Sequence, residues 1–562
     1  MYNFGRNNFS ARGSYLSIDN CENGFRLSTI RGWKGGVYEI FRVVYDKMPD
    51  ISFTPWEMSV SEGTNVQNFC FFGSDGLYFK GKGSGITLEY CEYPDTYIAN
   101  YVIKENGSVN LCDYKNDCFE WLTPKKGSIE IEAPRKKGEV KCDYIKLHII
   151  PDDNGEFEAA LEQFFSPSSV LRCYDYSYDD CVNIQKKDYT EWEKKFDTDN
   201  EYQKECAYVI WSNIVNKGGN FTYDSVIMSK AGMSAVWTWD NCINALGIAD
   251  KDFELAMGQF LMPYDNMDEF GCLPDSICDS VMSRAYVKPP IQGWIYKHMI
   301  ERDKRFARRE NLARVYSVMK KNTDWWLNFR GETPFYTHGN DSGADNATCF
   351  DKSERIETSE LLAFLSIQCD FLSETARILG MHTDKRVYKM LADELAQKAI
   401  DGYWDGRIFV RDAVTKEPYY SDSLMPLRMI VLKDKLPVEI RDYIIEKIKD
   451  HHLSVNGIAS EAYDSPLFEK NGYWRGAVWA PDQVIIITAL REMGYTQLAD
   501  EAAGRYKHAL EVIGFNENIS AVSMEALRCK SYTWTASAYL YLGDCRMQPQ
   551  CGMQLQCGMR NA

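Results

Sequence analysis

The segment EYQKECAYVIWSNIVNK, residues 201–217, marks the point at which the sequence changes its hydrophobic periodicity. Its apolar residues recur at the three-to-four-residue spacing of one helix face. The same spacing returns near residues 241–249, 252–263, 290–301, 306–329, 358–380, 383–401, 421–432, 436–449, 476–493, 496–512 and 531–542. About twelve helices, joined by polar and aromatic connections, predict a mainly α fold in which six helical hairpins form an (α/α)6 toroid over residues 200–543.

Upstream of this segment the sequence has the pattern of a β-domain. Short alternating runs such as VYEIFRVVY (37–45) and YIKLHII (144–150) recur at close spacing, separated by turn clusters such as SDG and ENGS. Many short strands of this kind predict an antiparallel β-sandwich over residues 1–190. Within it, residues 155–165 are expected to be helical, and the stretch to about 195 is expected to be a linker.

Composition and charge restrict the partners of the protein. The formal net charge of −17 argues against nucleic acid and anionic membranes, because both require a basic face. A neutral small carbohydrate is compatible with this charge, and the aromatic content of 14% supplies either a large core or flat faces for sugar rings. The sequence does not indicate an oligomeric state.

The ends of the sequence and its cysteines suggest a cytoplasmic location. The first residues, MYNFGRNNFSARGS, contain no apolar run of the kind that a signal peptide needs. The 18 cysteines are scattered and are expected to be reduced thiols. The tail 544–562 repeats QCGM, has no core pattern and is expected to be disordered.

Five connecting segments of the helical region concentrate polar and aromatic residues. In WTWDN (237–241), Trp237 and Trp239 are either a sugar platform or core residues, and Asp240 and Asn241 are either its hydrogen-bonding ends or a helix N-cap. The second segment, DEFGCLPDSI (268–277) followed by KPPIQGW (288–294), contains Gln292 and Trp294 at a helix start. It is either structural punctuation or part of a site.

The third segment, HGNDSGADNATCF (338–350), is rich in glycine, asparagine and aspartate. Such a composition does not build a core and predicts an irregular loop that presents carboxylates. Its candidate residues are His338, Asn340, Asp341, Gly343 and Asp345. A purely structural turn is the alternative.

The last two segments lie near the end of the helical region. In GYWRGAVWAPDQ (472–483), Trp474 and Trp479 flank Arg475, which either binds substrate, orients a carboxylate or packs. In GFNENISAVSMEALRCKSYTWTASAYL (514–540), Glu517 lies in a loop and Trp534 begins the last helix.

Together these segments contain what a glycosidase needs. One carboxylic acid protonates the leaving oxygen, and a second carboxylate activates water on the other face of the sugar. Tryptophan faces and amide or guanidinium donors then bind the ring. The sequence has no HExxH and no DxDxDG calcium loop, so we expect no metal and no cofactor, and we expect chelators to leave activity unchanged.

At these residues the sequence resembles the (α/α)6 glycosidases of clan G, and most closely glycoside hydrolase family sixty-three with its processing-glucosidase and mannosylglycerate-hydrolase branches. Residues 341–345 (DSGAD) match the acid segment of that family, and Glu517-Asn518, followed by YTWTA at 532–536, matches its base segment. The resemblance implies an inverting, exo-acting hydrolase of α-linked glucosides of small oligosaccharides. It also implies that Asp345 is the general acid and Glu517 the general base.

Two departures from the family pattern affect the substrate. The usual tryptophan before the acid is Ala344, and the family's aromatic, proline and glycine are missing after Glu517, which leaves Glu525 as a lesser candidate base. An acid near neutral pH must also keep its proton, so we expect burial or a nearby carboxylate such as Asp341 to raise the pKa of Asp345.

Several alternatives remain open at this stage. One is a hydrolase of α-mannosides or of mannosyl- or glucosylglycerate. A second is a sugar epimerase or isomerase on the same barrel, which would use histidine as the proton carrier; among the seven histidines, only His338 lies in a candidate segment. A third is a glycan-binding relative without activity.

Overall fold

The computed structural model describes residues 2–32, 36–90, 100–114, 118–166, 170–197 and 199–543. The first part of the chain forms antiparallel strands. The strands are β1 (Leu16–Cys21), β2 (Gly24–Thr29), β3 (Tyr38–Val44), β4 (Asp50–Phe53), β5 (Met58–Glu62), β6 (Asn65–Phe72), β7 (Gly76–Lys82), β8 (Ile86–Tyr90), β9 (Asn100–Glu105), β10 (Ser108–Asp113), β11 (Cys118–Lys126), β12 (Ser128–Glu132), β13 (Lys146–Ile150) and β14 (Glu156–Phe164).

These strands form two sheets that enclose an apolar core. Among the described residues, one sheet has the order β1-β2-β3-β8-β13-β12 and the other β4-β5-β6-β7-β14-β11-β10-β9. Burial alternates along the strands: in β13, Leu147 and Ile149 are buried while Lys146 and His148 are half-buried. This period of two is that of a strand with one face on a core. The predicted antiparallel β-sandwich is confirmed.

The expectation of a helix over residues 155–165 is wrong. Residues Glu156–Phe164 form β14, which pairs with β7 on one side and β11 on the other. The run of alanine and leucine suits a helix by propensity, but Phe157, Ala159 and Leu161 also lie at alternate positions and are buried in the core. Pairing on both sides therefore overrides the local preference.

The expected linker before residue 195 contains a helix. Helix α1 (Tyr178–Glu193) begins at a capping box in which Ser177 and Asp180 satisfy each other's backbone donors. Tyr178, Cys181 and Tyr189 are among the residues that it buries. The polar surface of this helix hides its periodicity in the sequence.

The remaining helices follow the periodicity of the sequence closely. They are α2 (Glu201–Ser212), α3 (Asp240–Gly247), α4 (Phe253–Asp265), α5 (Gln292–Arg302), α6 (Arg309–Phe329), α7 (Ser359–Leu379), α8 (His382–Asp401), α9 (Val438–Lys447), α10 (Ala480–Glu492), α11 (Thr496–Ile513) and α12 (Thr533–Gly543). The helix expected near 421–432 is a 3-10 helix, Met425–Lys435.

Six of these elements form a closed inner ring. In order they are α3, α5, α7, the 3-10 helix Met425–Lys435, α10 and α12; each contacts the next, and α12 contacts α3. Helices α2, α4, α6, α8, α9 and α11 pack outside this ring. An inner helix with neighbours on all sides can be buried on all sides; in α12, every residue of 533–542 is buried. The predicted (α/α)6 toroid is confirmed.

The connections differ between the two ends of the toroid. Those that lead from an outer to an inner helix are long and contain short strands, Ile214–Val215, Ser225–Val226, Val236–Trp237, Ser276–Ile277, Met282–Ser283, Ile356–Glu357, Val410–Asp412, Pro418–Tyr419, Leu453–Ser454, Gly457–Ile458, Val478–Trp479, Asn518–Ile519 and Ala526–Leu527. All five candidate segments lie at this end, where the inner helices begin. The N-termini of helices favour negative charge nearby.

No helix in the described part of the chain has the combination of length and apolar character that a membrane crossing requires. The tail expected to be disordered, 544–562, lies outside the described residues.

Candidate active site

The loop that contains Asp345 lies between α6 and α7 and requires two glycines. A Cβ at Gly339 would lie 1.9 Å from the carbonyl oxygen of Asp345. Gly343 has a φ of 69°, and a Cβ there would lie 2.5 Å from Cε2 of Trp239. Glycine is the residue that tolerates such close approach and positive φ. The glycines therefore fix the path of the backbone that presents Asp345.

Asp341 holds the same loop from within. Its carboxylate accepts hydrogen bonds from the backbone N–H of Val287 (3.0 Å) and Thr337 (2.8 Å) and from Nη1 of Arg330 (2.9 Å). It is 1% exposed, so it has no open face toward a substrate in this conformation. Its position suits anchoring of the loop.

Asp345 is half-buried in a cluster of charges. Burial raises the pKa of its carboxyl group above the ordinary value; the positive charge of Lys288 opposes this rise, and the negative charge of Asp275 adds to it. The nearby carboxylate with this effect is thus Asp275, not Asp341 as expected. Asp240 belongs to the same cluster, and its pKa is raised mainly by burial, with contributions from Asp275 and Asp345.

Lys288 is the cation at the centre of this cluster. Its Nζ lies 2.8 Å from Oδ1 of Asp275 and donates to the carbonyl oxygen (2.7 Å) and Oδ1 (2.5 Å) of Asn340. It therefore links the connection before α5 to the loop of Asp345. Both Lys288 and Asp275 lie inside the second candidate segment, but nothing in their local pattern distinguishes them there.

Glu517 lies in the connection between α11 and α12 and is 6% exposed. The hydroxyl of Tyr473 donates to its Oε1 over 2.9 Å. Burial raises the pKa of Glu517; the hydrogen bond from Tyr473 opposes the rise, and the charge of Asp345 adds to it. The charge of Asp345, a residue far from Glu517 in the sequence, therefore acts on Glu517 in the fold.

Four candidate tryptophans form a buried aromatic cluster. The rings of Trp474 and Trp479 are parallel, with centroids 4.0 Å apart. Trp239 lies 6.0 Å from Trp474, and Trp534 lies 5.7 Å from Trp479 at nearly a right angle. Each of the four is at most 3% exposed. In this conformation the four rings act as packing residues inside the protein. Trp237, by contrast, is half-buried and keeps an accessible face.

A family model for the mannosylglycerate hydrolase MGH1-like glycoside hydrolase domain matches residues 233–535, which is more than half of the chain. The chain belongs to this family. It is a glycoside hydrolase. This membership favours hydrolysis over the epimerase and glycan-binding alternatives. Among curated protein sequences, none matches it.

Solved structures show the same fold. The GH63 mannosylglycerate hydrolase from Thermus thermophilus, in complex with glucose, is 18% identical with a TM-score of 0.52, over 61% of this chain and all (100%) of the other. A bacterial glucoamylase in complex with acarbose is 13% identical with a TM-score of 0.66, over 96% and 93%. A family GH92 α-mannosidase from Bacteroides thetaiotaomicron is 10% identical with a TM-score of 0.60, over 96% and 82%. These similarities concern the fold alone.

Several polar candidates of the hydrolase are engaged within the protein. Arg475 forms a two-point ion pair with Asp351 (2.7 and 3.0 Å) and a third contact with Glu469 (2.9 Å). Asn241 is fully buried and donates to the carbonyl oxygen of Gln259 over 2.7 Å. Arg475 therefore holds two loops together and does not orient Asp345 or Glu517.

Two further candidates lie at the start of α5. Gln292 is 2% exposed, and its Oε1 has no hydrogen-bond partner among the described residues. Trp294 is 3% exposed, and its ring centroid lies 4.2 Å from that of His298. Their burial suits helix packing at the floor of the site.

His338 differs from these residues because it is less buried. Its ring centroid lies 5.2 Å from that of Tyr286. Its Nδ1 accepts from the backbone N–H of Asn340 over 3.1 Å, and its positive charge, when protonated, opposes the raised pKa of Asp345. The two rings form an aromatic edge beside Asp345.

The two departures from the family pattern have different structural settings. Ala344 is 1% exposed, so its side chain lies in the core and not on an open wall. Glu525 is exposed and pairs with Lys470 over 3.0 Å, and the hydrogen bond from Lys470 lowers its pKa. Glu525 is therefore tied to the surface, whereas Glu517 faces the buried cluster.

A second group of buried charges lies beneath the Asp345 loop. Nε of Arg428 lies 2.6 Å from Oδ1 of Asp482, and both side chains are 1% exposed. The guanidinium also lies over the rings of Trp239 and Trp474. Burial raises the pKa of the neighbouring Glu360 to about 7. No local pattern in the sequence indicates this group, because its members come from distant helices.

The described residues also contain two groups with metal-ligating side chains. They are Asp113, Cys118 and Glu120 in the β-sandwich, and His298, Glu301 and Glu492. Neither group includes Asp345 or Glu517.

Proposed function

We propose that the protein is an inverting, exo-acting hydrolase of α-linked glucosides of small oligosaccharides, with Asp345 as general acid and Glu517 as general base. The observation that carries the proposal is a pair of buried or half-buried carboxyl groups, Asp345 and Glu517, which lie in two different connections at the end where the inner helices begin. Burial raises the pKa of both, and the charge of Asp345 affects Glu517.

The surroundings of the two groups support different roles. Glu517 accepts a hydrogen bond from Tyr473, and a hydrogen bond to the charged form of a carboxylate favours ionisation. Burial and the negative charge of Asp275 raise the pKa of Asp345, which favours its protonated form. An ionised base and a protonated acid are what inversion requires.

The partly accessible residues around this pair are the proposed sugar contacts. Trp237 offers a ring face, and His338 and Asn340 offer polar atoms beside Asp345. Asp240 lies at the first position of α3, within the same charge cluster. Trp239, Trp474, Trp479 and Trp534 act mainly by holding these loops in place.

A second candidate is a glycoside with an acidic aglycone, such as a mannosyl- or glucosylglycerate. The family model is described by mannosylglycerate hydrolase. This candidate rests on the family match, because Arg528, the cation that acts on Glu517, lies on the side of the base and not of the leaving group.

A hydrolysis screen tests the proposal. Purified protein is incubated with α-linked glucosides, mannosides and galactosides and with glycosylglycerates, and the first-formed anomer is followed by NMR. We expect release of β-glucose from an α-glucoside, and loss of that activity in Glu517→Gln. Release of the α-anomer would contradict inversion, and turnover of glycosylglycerates alone would favour the second candidate.

A further inference from the structure

The turn Gly472–Trp474 connects the two carboxyl groups of the site. Asn346, the neighbour of Asp345, donates from Nδ2 to the carbonyl oxygen of Gly472 over 2.9 Å, and its Oδ1 accepts from the backbone N–H of Trp474 over 2.9 Å. Between these two anchors lies Tyr473, which donates to Glu517. A short chain of bonds thus runs from the loop of the acid to the base.

Tyr473 has an unusual backbone for its residue type. Its φ is 65°, in the left-handed region that side chains with a Cβ rarely adopt. Such a conformation is strained and persists only where the surroundings impose it. Here the two hydrogen bonds of Asn346 flank the strained residue on both sides.

The ring of Tyr473 is also fixed. It meets the ring of Trp479 edge-on, at 4.6 Å between centroids. On another side, Cζ of Arg528 lies 5.3 Å from its centroid, and Arg528 itself has a φ of 64°. Because the ring is held between these groups, its hydroxyl has little freedom other than to meet Glu517.

We propose that Tyr473 is a positioning residue for the base, and that the Asn346-anchored turn sets the position of Glu517 relative to Asp345. This inference rests on the proposed function, because it assigns Glu517 the role of base. The hydroxyl of Tyr473 fixes Oε1 of the carboxylate and thereby limits the orientations that the carboxyl group can adopt. Nothing in the family match assigns this task to the turn.

The groups that face Glu517 determine what a pH profile would report. From the turn comes Tyr473, from the loop after α6 comes Asp345, and from its own connection come Arg528, Cys529 and Tyr532. Of these, the hydrogen bonds from Tyr473 and from the backbone of Cys529 and the charge of Arg528 lower the pKa of Glu517, and Asp345 raises it. Removal of the Tyr473 hydroxyl should therefore make the base harder to ionise.

The test compares Tyr473→Phe with Tyr539→Phe. Tyr539 is a matched control, because its hydroxyl donates to Glu511 over 2.7 Å outside the site. For Tyr473→Phe we expect kcat to fall about tenfold to a hundredfold, the effect of losing a hydrogen bond to a charged group, with little change in KM. The acidic limb of its kcat profile should move to higher pH. Tyr539→Phe should change neither quantity.

A second variant separates positioning from hydrogen bonding. Asn346→Ala keeps the hydroxyl of Tyr473 but frees the turn, and we expect a fall in kcat in a protein that still folds, because Asn346 is exposed. Wild-type kcat and acidic limb in Tyr473→Phe would overturn the inference, as would an equal loss in Tyr539→Phe. Full activity in Glu517→Gln would instead refute the proposed function. The inference alone fails if Glu517→Gln is inactive and Tyr473→Phe is normal.

Discussion

The substitution Asp345→Asn removes the proton donor of the proposed reaction. The substitution keeps the size of the side chain, and the backbone of residue 345 remains fixed against Gly339. What is lost is the acidic proton that burial and Asp275 stabilise by raising the pKa. General acid catalysis contributes about a hundredfold to ten-thousandfold, so we expect kcat on an unactivated disaccharide to fall by this factor. The factor corresponds to about 3–5 kcal/mol of barrier.

The assay uses two substrates that differ in leaving group. A disaccharide needs protonation of the departing oxygen, whereas a nitrophenyl glycoside leaves with little help. We therefore expect the variant to lose the disaccharide activity and to keep most of its rate on the aryl glycoside. The basic limb of the disaccharide profile, which reports ionisation of the acid, should disappear.

Asp341→Asn is the matched control in the same loop. Asp341 pairs with Arg330 over 2.9 Å and is 1% exposed, so its loss of charge should lower stability by about 3 kcal/mol. Its residual activity should show the wild-type dependence on leaving group. Near-normal turnover of the disaccharide by Asp345→Asn, or an equal loss on both substrates, would refute the assignment of Asp345 as acid.

Three further predictions concern stability and pH. Gly343→Ala, at φ 69° with a clash at 2.5 Å, should cost more unfolding free energy than Gly380→Ala, at φ 82° with open space around it; urea titrations give both values, and equal costs would contradict the close contact. Glu360 has a pKa of about 7 in the folded protein against an ordinary 4.5, so the folded state keeps a proton that the unfolded state releases. Its contribution to stability is fully present below about pH 4.5 and is lost as the pH rises through 7, a change of up to about 3 kcal/mol that Glu360→Gln should remove from the unfolding free energy measured at pH 5 and pH 8. Lys288→Met removes the cation that opposes the raised pKa of Asp345, so the basic limb of kcat/KM should move upward; a downward shift would show that another group controls the acid.

The sequence predicted the helices well because their apolar spacing survives in most of the chain. It failed at Glu156–Phe164, where alanine and leucine suit a helix but pairing with two neighbouring strands decides the structure. It also missed the helix Tyr178–Glu193, whose surface is largely polar. In the first case, contacts between residues distant in sequence determine the structure. In the second, the exposure of the helix to solvent accounts for the polar residues that hide its periodicity.

The sequence predicted which connections carry the candidate residues, and the roles of Asp345 and Glu517 stay predictions. Motifs in family order identified Asp345 and Glu517, and the charge effect between them is compatible with one site. The sequence did not indicate a role for Lys288, Asn346 or Tyr473, because a lysine, an asparagine or a tyrosine in a loop has no distinctive local pattern. The contacts of these three residues form only in the folded protein, where the connections come together at one end of the ring.

The closed ring also has a practical consequence at its other end. There the described connections from inner to outer helices are short, and α7 ends at Leu379 while α8 already begins at His382. None of these described connections contains a candidate site residue. A peptide tag or a surface-coupling group attached at these short connections would leave the end that carries the candidate site facing the solution. The architecture thus offers a natural point for oriented immobilisation of the enzyme.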